Sequence, residues 1–234
     1  IPSMPILTTS GLGHAFGAAD LFGDVALAVE ARDRIGLVGP NGVGKTTLLR
    51  ALSGLLEPSQ GSVERAAGLS IGYLRQELEF TRPTILEEAA SALPPQEAGS
   101  LWKAEKILAG LGFAAGDFDR APGEFSGGFL VRLNLAKALL AEPNLLLLDE
   151  PTNFLDITSI RWVERFLAQW PGELIVISHD RGFMDRVVTH VMGIHRCRIR
   201  KIAGTTDTYY GRIAQEEEIY EKTRLNDERR RAAE

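Results

Sequence analysis

The chain has 234 residues, 44% of them apolar, and a net charge of −5 from 26 Lys and Arg against 31 Asp and Glu. Its length suits one substantial α/β domain or at most two small ones, and its acidic balance excludes binding of nucleic acid through bulk positive charge. The single cysteine excludes a disulfide framework, and no apolar run reaches the roughly 20 residues that span a bilayer. We therefore expect a cytoplasmic protein without direct membrane insertion, and a first residue other than Met suggests a fragment.

Hydrophobic patterning predicts alternating strands and helices along the chain. The first forty residues predict short strands, including 25–29 and 34–38. A Gly-rich loop at 39–44 follows, and it leads into a helix over 46–56 that ends near Gly54. The further predicted helices cover 85–93, 101–111, 130–140 and 158–169, and the further predicted strands lie at Val63, 71–74, 145–148 and 174–177.

The last 23 residues differ in character from the rest. Between Arg212 and Glu234 there are six basic and seven acidic residues, with no Gly or Pro. This composition predicts a solvated helix that extends from the domain. Its three consecutive arginines, Arg229–Arg231, could contact RNA phosphate, although the seven acids dilute their field.

The loop after the second predicted strand has the pattern of a phosphate-binding loop. Residues 39–46 read Gly-Pro-Asn-Gly-Val-Gly-Lys-Thr and fit G-x-x-x-x-G-K-[ST] between a predicted strand and a predicted helix. Backbone N–H groups and the helix N-terminus attract phosphate oxygens there. Lys45 would place its positive charge beside the β- and γ-phosphates, and Thr46 would offer its hydroxyl to Mg²⁺. The alternative is a Gly-rich turn that binds nothing. We predict ATP contacts from Gly39, Asn41, Gly42, Gly44, Lys45, Thr46 and Thr47.

Two acids follow the buried strand predicted at 145–148. The position places Asp149 and Glu150 at the carboxyl end of a strand, where α/β proteins bind ligands. Phosphoryl transfer requires mainly that the reacting groups are positioned and that the negative charge of the phosphates is neutralised. Asp149 can therefore organise the Mg²⁺ shell and Glu150 can polarise the attacking water. A solvent-exposed acidic strand end is the alternative.

Together these motifs resemble the ATP-binding-cassette (ABC) ATPases over roughly residues 6–205. Phe125-Ser126-Gly127-Gly128 is similar to the family's signature motif, 73–76 to its Q-loop, 149–156 to its acidic strand end and D-loop, and 177–180 to its switch-histidine segment. The resemblance implies a P-loop fold with a parallel-sheet core, an antiparallel β subdomain and a helical subdomain near 80–140. It implies ATP and Mg²⁺ as cofactors, with catalytic roles for Glu150, His179 and Gln76 and metal contacts from Thr46, Gln76 and Asp149. It further implies nucleotide contacts from Phe16, Ser126, Gly127, Gly128 and Asp156; a core-packing role for Phe16 and a structural role for His179 are the alternatives.

Within this superfamily the chain resembles the first cassette of the ABC-F branch. Pro-Thr-Asn-x-Leu-Asp at 151–156, Ser-His-Asp-Arg-x-Phe at 178–183 and the 31 residues from Lys45 to Gln76 carry this resemblance. It implies a cassette over 1–211 and the start of an interdomain linker over 212–234. It also implies two partners, a second cassette in the same chain or in a homodimer, and the ribosome or tRNA.

Three phenylalanines depart from the family pattern. Phe125 replaces the usual Leu, Phe129 the usual Gln, and Phe154 the usual His of this branch. In addition, only 50 residues separate Gln76 from Ser126, which leaves no room for the long helical arm of some ABC-F proteins.

Three classes of function remain to be compared. The charged tail favours a ribosome-acting switch, and the ATPase subunit of a membrane transporter is the alternative. A chromosome or DNA-repair cassette would separate the two phosphate-site motifs by a long coiled coil. Lys45 and Asp149 are only 104 residues apart, which counts against this third class.

Overall fold

A computed structural model describes residues 4–16, 19–74 and 79–233, without the side chains of 16, 19–20 and 225–233. Its strands are β1 (Leu7–Phe16), β2 (Ala19–Val29), β3 (Arg34–Val38), β4 (Gln60–Arg65), β5 (Ile71–Tyr73), β6 (Leu145–Asp149), β7 (Glu173–Ile177), β8 (His190–His195) and β9 (Arg198–Ala203). Its helices are α1 (Lys45–Ser53), α2 (Ile85–Ala90), α3 (Leu101–Gly110), α4 (Gly127–Leu140), α5 (Ile157–Ala168), α6 (Arg181–Val187) and α7 (Thr206–Ala233), with single 3₁₀ turns at Pro95–Glu97, Ala115–Asp117 and Pro122–Glu124.

A six-stranded sheet forms the centre of the fold. Its order is β5-β6-β7-β3-β8-β9, with parallel pairing up to β8 and an antiparallel edge strand β9. Leu146 and Leu148 of β6 pack with the helices on one face, while Leu145 and Leu147 pack with α1 and the antiparallel strands on the other. Because both faces are covered, β6 and β7 read as continuous apolar runs in the sequence.

A second, three-stranded antiparallel sheet has the order β2-β1-β4. β1 has 10 residues and β2 has 11, so the prediction of short strands over the first forty residues was wrong for these two. The pairing of β1 with β2 shifts register three times between Thr9 and Ala15. Such bulges interrupt the period-2 alternation from which strand length is read.

Helices α2, α3 and α4 form a small helical group between β5 and β6. Leu108, Leu111 and Leu139 are fully buried in it. The buried Glu88 of α2 pairs with Lys137 of α4. The structure thus confirms the predicted fold class, an α/β protein with a parallel-sheet core, an antiparallel β part and a small helical part.

Helix α7 begins at Thr206, six residues before the charged helix predicted from Arg212. Asp185 of α6 accepts hydrogen bonds from the backbone N (2.8 Å) and hydroxyl (3.1 Å) of Thr206. The guanidinium of Arg181 lies 4.6 Å from the ring centroid of Tyr210. The N-terminal turn of α7 is therefore fixed to α6, and the division of the chain at 211 and 212 stays a prediction.

A second set of contacts joins α7 to the hairpin of β8 and β9. Glu217 lies 2.8 Å from His195 Nε2 and 3.0 Å from Arg196 Nη2. The guanidinium of Arg196 also lies 3.8 Å from the ring centroid of Tyr220. The side chains of Arg229–Arg231 lie outside the described part of the chain. Among the described residues, no helix combines the length and the apolarity that crossing a membrane requires.

Candidate functional site

The predicted phosphate-binding loop lies where β3 ends and α1 begins. Its glycines Gly39, Gly42 and Gly44 have φ angles of 144°, 78° and 103°. A Cβ on Gly44 would lie 3.1 Å from Cβ of Leu21. Glycine is therefore required for this backbone path, which leaves the N-terminal N–H groups of α1 available to an anion.

Lys45 is folded onto this loop. Its Nζ donates hydrogen bonds to the carbonyls of Gly39 (2.7 Å) and Pro40 (2.9 Å). Burial lowers the pKa of the ammonium, while the carboxylates of Glu150 and Asp149 act in the opposite direction. The loop carbonyls thus hold the cation where a phosphate group would approach.

Thr46 and Asp149 meet across the site. The Thr46 hydroxyl donates a 2.6 Å hydrogen bond to Oδ2 of Asp149. The carboxylate follows the buried residues of β6, and the hydroxyl lies in the first turn of α1. A hydroxyl and a carboxylate at this separation are hard oxygen donors, which suit Mg²⁺.

Glu150 and His179 are also neighbours. Glu150 has a φ of 50°, which turns the chain sharply as β6 ends. Its Oε2 accepts a 3.3 Å hydrogen bond from the backbone N of His179. Its Oε1 is buried and makes no hydrogen bond within the described part of the chain, with Nε2 of His179 3.3 Å away. A strained residue whose buried oxygen has no hydrogen-bond donor is typical of functional sites.

These groups line one cleft of about 350 Å³. The sequence analysis missed Leu21 and Ile177 in its lining, because their proximity arises only when β2 and β7 are packed. Gly39 lines a smaller cavity with Lys45 and His179. The predicted residues that the cleft brings together are Asn41, Gly42, Gly44, Lys45, Thr46, Thr47, Asp149, Glu150 and His179.

Four of the remaining predicted site residues are not part of the cleft lining. Ser126, Gly127 and Gly128 form the start of α4 and are not part of the cleft lining. Asp156 caps α5, where its carboxylate accepts a 2.8 Å hydrogen bond from the backbone N of Ser159. Gln76 and the side chain of Phe16 lie outside the described residues. The catalytic and metal-binding roles of Gln76 and the nucleotide contacts of the other residues stay predictions.

Two of the departing phenylalanines pack together beside the start of α4. The ring centroids of Phe125 and Phe129 lie 5.7 Å and 5.2 Å from that of Phe113. Aromatic pairs at these distances stabilise each other. Phe129 thus has a packing role in this structure.

Comparison with known proteins agrees with the geometry. The family model described as ABC transporter matches residues 22–153. A putative ATP-binding protein of Bacillus subtilis, YdiF, is 33% identical over 94% of this chain and 41% of its own length. The energy-dependent translational throttle protein EttA of Escherichia coli K12 is 34% identical over 93% of this chain and 39% of its own length.

A mammalian relative and two solved structures extend this likeness. ATP-binding cassette sub-family F member 3 of Rattus norvegicus is 36% identical over 75% of this chain and 29% of its own length. The chain thus spans about two fifths of the length of YdiF and of EttA, and less than a third of the length of the mammalian relative. The ATP-binding subunit of an ABC transporter superposes with a TM-score of 0.71 at 23% identity, covering 89% of this chain and 93% of its own. The ATP-binding cassette MJ0796, bound to ADP and Pi, superposes with a TM-score of 0.69 at 20% identity. The match covers 84% of this chain and 98% of that one.

Proposed function

Because this chain belongs to the ABC transporter family and is an ABC ATPase domain, we propose that its cleft binds ATP with Mg²⁺ and hydrolyses the β–γ phosphate bond. One observation carries the proposal. The phosphate loop, the Thr46–Asp149 hydrogen bond and the Glu150–His179 pair face the same 350 Å³ cleft. A nucleoside triphosphate bound there would have its phosphates at the loop, its metal ion at Thr46 and Asp149, and its γ-phosphate beside Glu150 and His179.

In the proposed reaction, water attacks the γ-phosphorus and the bond to the β-phosphate oxygen breaks, giving ADP and phosphate. Loop N–H groups and Lys45 hold the negative charge of the phosphates. Oε1 of Glu150, which makes no hydrogen bond among the described residues, polarises the attacking water and accepts its proton as the bond to phosphorus forms, and His179 lies beside it. A magnesium ion held by Thr46 and Asp149 would neutralise phosphate charge. Gln76 is a further proposed ligand.

We propose that the site is completed by a second cassette, in the same chain or in a homodimer. Ser126, Gly127 and Gly128 are not part of this chain's own cleft lining, and Ser126 and Gly127 are exposed. A second cassette could place its equivalent turn over this ATP, and the triphosphate would then favour the closed state. The proposal predicts that ATPase activity rises faster than linearly with protein concentration if the two cassettes are on separate chains.

For the whole protein, we propose an ABC-F type switch that acts on ribosomes in the cytoplasm. The support is the similarity to EttA, whose name describes a translational throttle, together with the charged helix α7. The ATPase subunit of a membrane transporter is the second candidate, because the matching family model carries that description.

Two substitutions test the ATPase proposal. Glu150→Gln should keep ATP binding but lower kcat by about 10²–10³-fold, because an amide cannot accept a proton. Lys45→Ala should weaken ATP binding itself. Glu142→Gln is a matched control, since Glu142 also has a positive φ, of 44°, but lies outside the cleft. Turnover by Glu150→Gln at the parent rate would contradict the proposed role.

A pelleting assay tests the proposed partner. The full-length protein with Glu150→Gln is mixed with ribosomes and ATP at low salt, with ADP as the control. We expect co-sedimentation with ATP only. Failure to co-sediment, together with binding to a membrane subunit, would replace the ribosome proposal by the transporter proposal.

A further inference from the structure

Arg132, in the second turn of α4, joins three parts of the molecule. Its Nε and Nη2 donate hydrogen bonds of 3.0 Å and 2.8 Å to the carbonyl of Phe154. Its Nη1 donates a 3.0 Å hydrogen bond to the carbonyl of Leu111 and lies 3.3 Å from Oδ2 of Asp156. The side chain is only 12% exposed. Arg132 therefore binds the segment from Glu150 to Asp156, which we call the 150–156 loop, to α4 and to the end of α3.

The 150–156 loop begins in the ATP cleft and ends at the cap of α5. Its first residue, Glu150, is the proposed water-polarising group, and its last, Asp156, caps the helix. Both Glu150 and Phe154 have positive φ angles, of 50° and 65°. A loop with two such residues is strained, and strain of this kind persists only where neighbouring groups determine the backbone.

Phe154 also brings the loop against the start of α4. A Cβ on Gly128 would lie 3.5 Å from Cβ of Phe154, in ordinary contact. The guanidinium of Arg132 in turn lies 4.8 Å from the ring centroid of Phe129. Two of the residues that depart from the family pattern, Phe129 and Phe154, are thus both in contact with Arg132.

Arginine is suited to this position for a geometric reason. Its planar fork carries five N–H donors and can bind several carbonyl oxygens at fixed angles. Lysine would keep the charge, but its single nitrogen cannot reach Phe154, Leu111 and Asp156 together in the same geometry. The contacts therefore specify a guanidinium and not only a cation.

We propose that Arg132 is a positioning residue for hydrolysis, which fixes the 150–156 loop relative to the turn Ser126–Gly128. The inference rests on the proposed ATPase function. Arg132 does not line the ATP cleft, so its loss leaves the phosphate loop and ATP affinity intact. Its loss releases the loop that carries Glu150, and the alignment of the attacking water is then lost.

The test compares Arg132→Gln and Arg132→Lys with Arg120→Gln in the full-length protein. Arg120 is a matched control because its guanidinium lies 4.5 Å from the ring centroid of Phe125, in the same aromatic cluster. It pairs with Asp117 and Glu124 and makes no hydrogen bond to the 150–156 loop. We expect both Arg132 variants to lower kcat by about 10–100-fold with KM changed less than about threefold, and Arg120→Gln to match the parent.

Two further measurements separate positioning from a general loss of structure. ATP affinity of Arg132→Gln, measured in the Glu150→Gln background, should equal that of Glu150→Gln alone. Amide hydrogen exchange should accelerate at Asn153 and Leu155, whose N–H groups bond within the loop at 3.1 Å and 3.2 Å, and not in the helices.

Several results would overturn the inference. They are an unchanged kcat in Arg132→Gln, equal losses of kcat in Arg132→Gln and Arg120→Gln, or unchanged exchange at Asn153 and Leu155. An ATP affinity that falls as far as kcat would show that Arg132 supports the whole cleft. If the parent itself does not hydrolyse ATP, the proposed function fails, but the exchange measurement still tests whether Arg132 fixes the loop.

Discussion

Replacing Glu88 by alanine should destabilise the helical group strongly. Glu88 is 1% exposed, accepts hydrogen bonds from the backbone N of Thr81 (2.7 Å) and Arg82 (2.8 Å), and pairs with Lys137. Removing one partner of a buried ion pair reduces the free energy of unfolding by about 3–5 kcal/mol. Because the side chain of Lys137 is 25% exposed and can turn toward water, we expect the lower end, about 3 kcal/mol.

Urea unfolding followed by tryptophan fluorescence measures this difference. Glu87→Ala is the matched control, because Glu87 is the preceding residue in α2 and is exposed. Its variant should lie within about 0.5 kcal/mol of the parent. Equal destabilisation by the two substitutions would refute the reasoning from burial and hydrogen bonding.

The pH dependence of the same site has a defined sign. Burial alone would raise the pKa of Glu88, but the hydrogen bonds from Lys137 and from the amides of Arg82 and Thr81 outweigh it and leave the pKa lowered. A lowered carboxyl pKa contributes stability above the unfolded value of 4.5 and loses it as the pH falls through the folded value. The difference between the parent and Glu88→Gln should therefore shrink below about pH 4.5.

Three further predictions concern other parts of the molecule. Burial raises the pKa of Tyr209 from 10.0 to about 12. As the pH rises from about 10 to about 12, the parent should therefore lose about 3 kcal/mol of unfolding free energy relative to Tyr209→Phe. A difference in urea unfolding that does not change with pH would contradict this. Thr46→Val should lower ATP affinity about tenfold with Mg²⁺ present and little in EDTA, as measured by titration; equal losses would exclude a metal-linked role. Gly110→Ala would place a Cβ 2.0 Å from the ring of Trp162 and should destabilise by about 1–3 kcal/mol in thermal unfolding, whereas Gly116→Ala, with nothing within 4 Å, should not.

The strands that carry the site were predictable from the sequence. The strand predicted at 34–38 is β3, with the same bounds, because an apolar run lies between a charged turn and a glycine. The strands predicted at 145–148 and 174–177 each gain one residue, as β6 and β7. Their apolar runs are continuous because both faces of the sheet are covered.

Three helices were predicted less well from the sequence. Helix α4 begins at Gly127, three residues before its predicted start, because two glycines resemble a loop when read without their tertiary context. Helix α1 ends at Ser53 and Gly54 adopts a φ of 85°, which agrees with the predicted end near Gly54 but is three residues short of the predicted range limit at 56. Helix α6 was missed, as seven residues are too few to show helical periodicity.

The attachment of α7 also has a mechanical consequence. The contacts to α6 and to the hairpin fix this helix between Thr206 and Tyr220, and it continues to Ala233. At about 1.5 Å per residue, the part beyond Tyr220 is a lever arm about 20 Å long. A tilt of about 10° at the fixed part would move its far end by about 3–4 Å. Because α6 follows His179 in the chain and holds Thr206 through Asp185, a small rotation of α6 would displace the far end of α7 by roughly the length of a hydrogen bond.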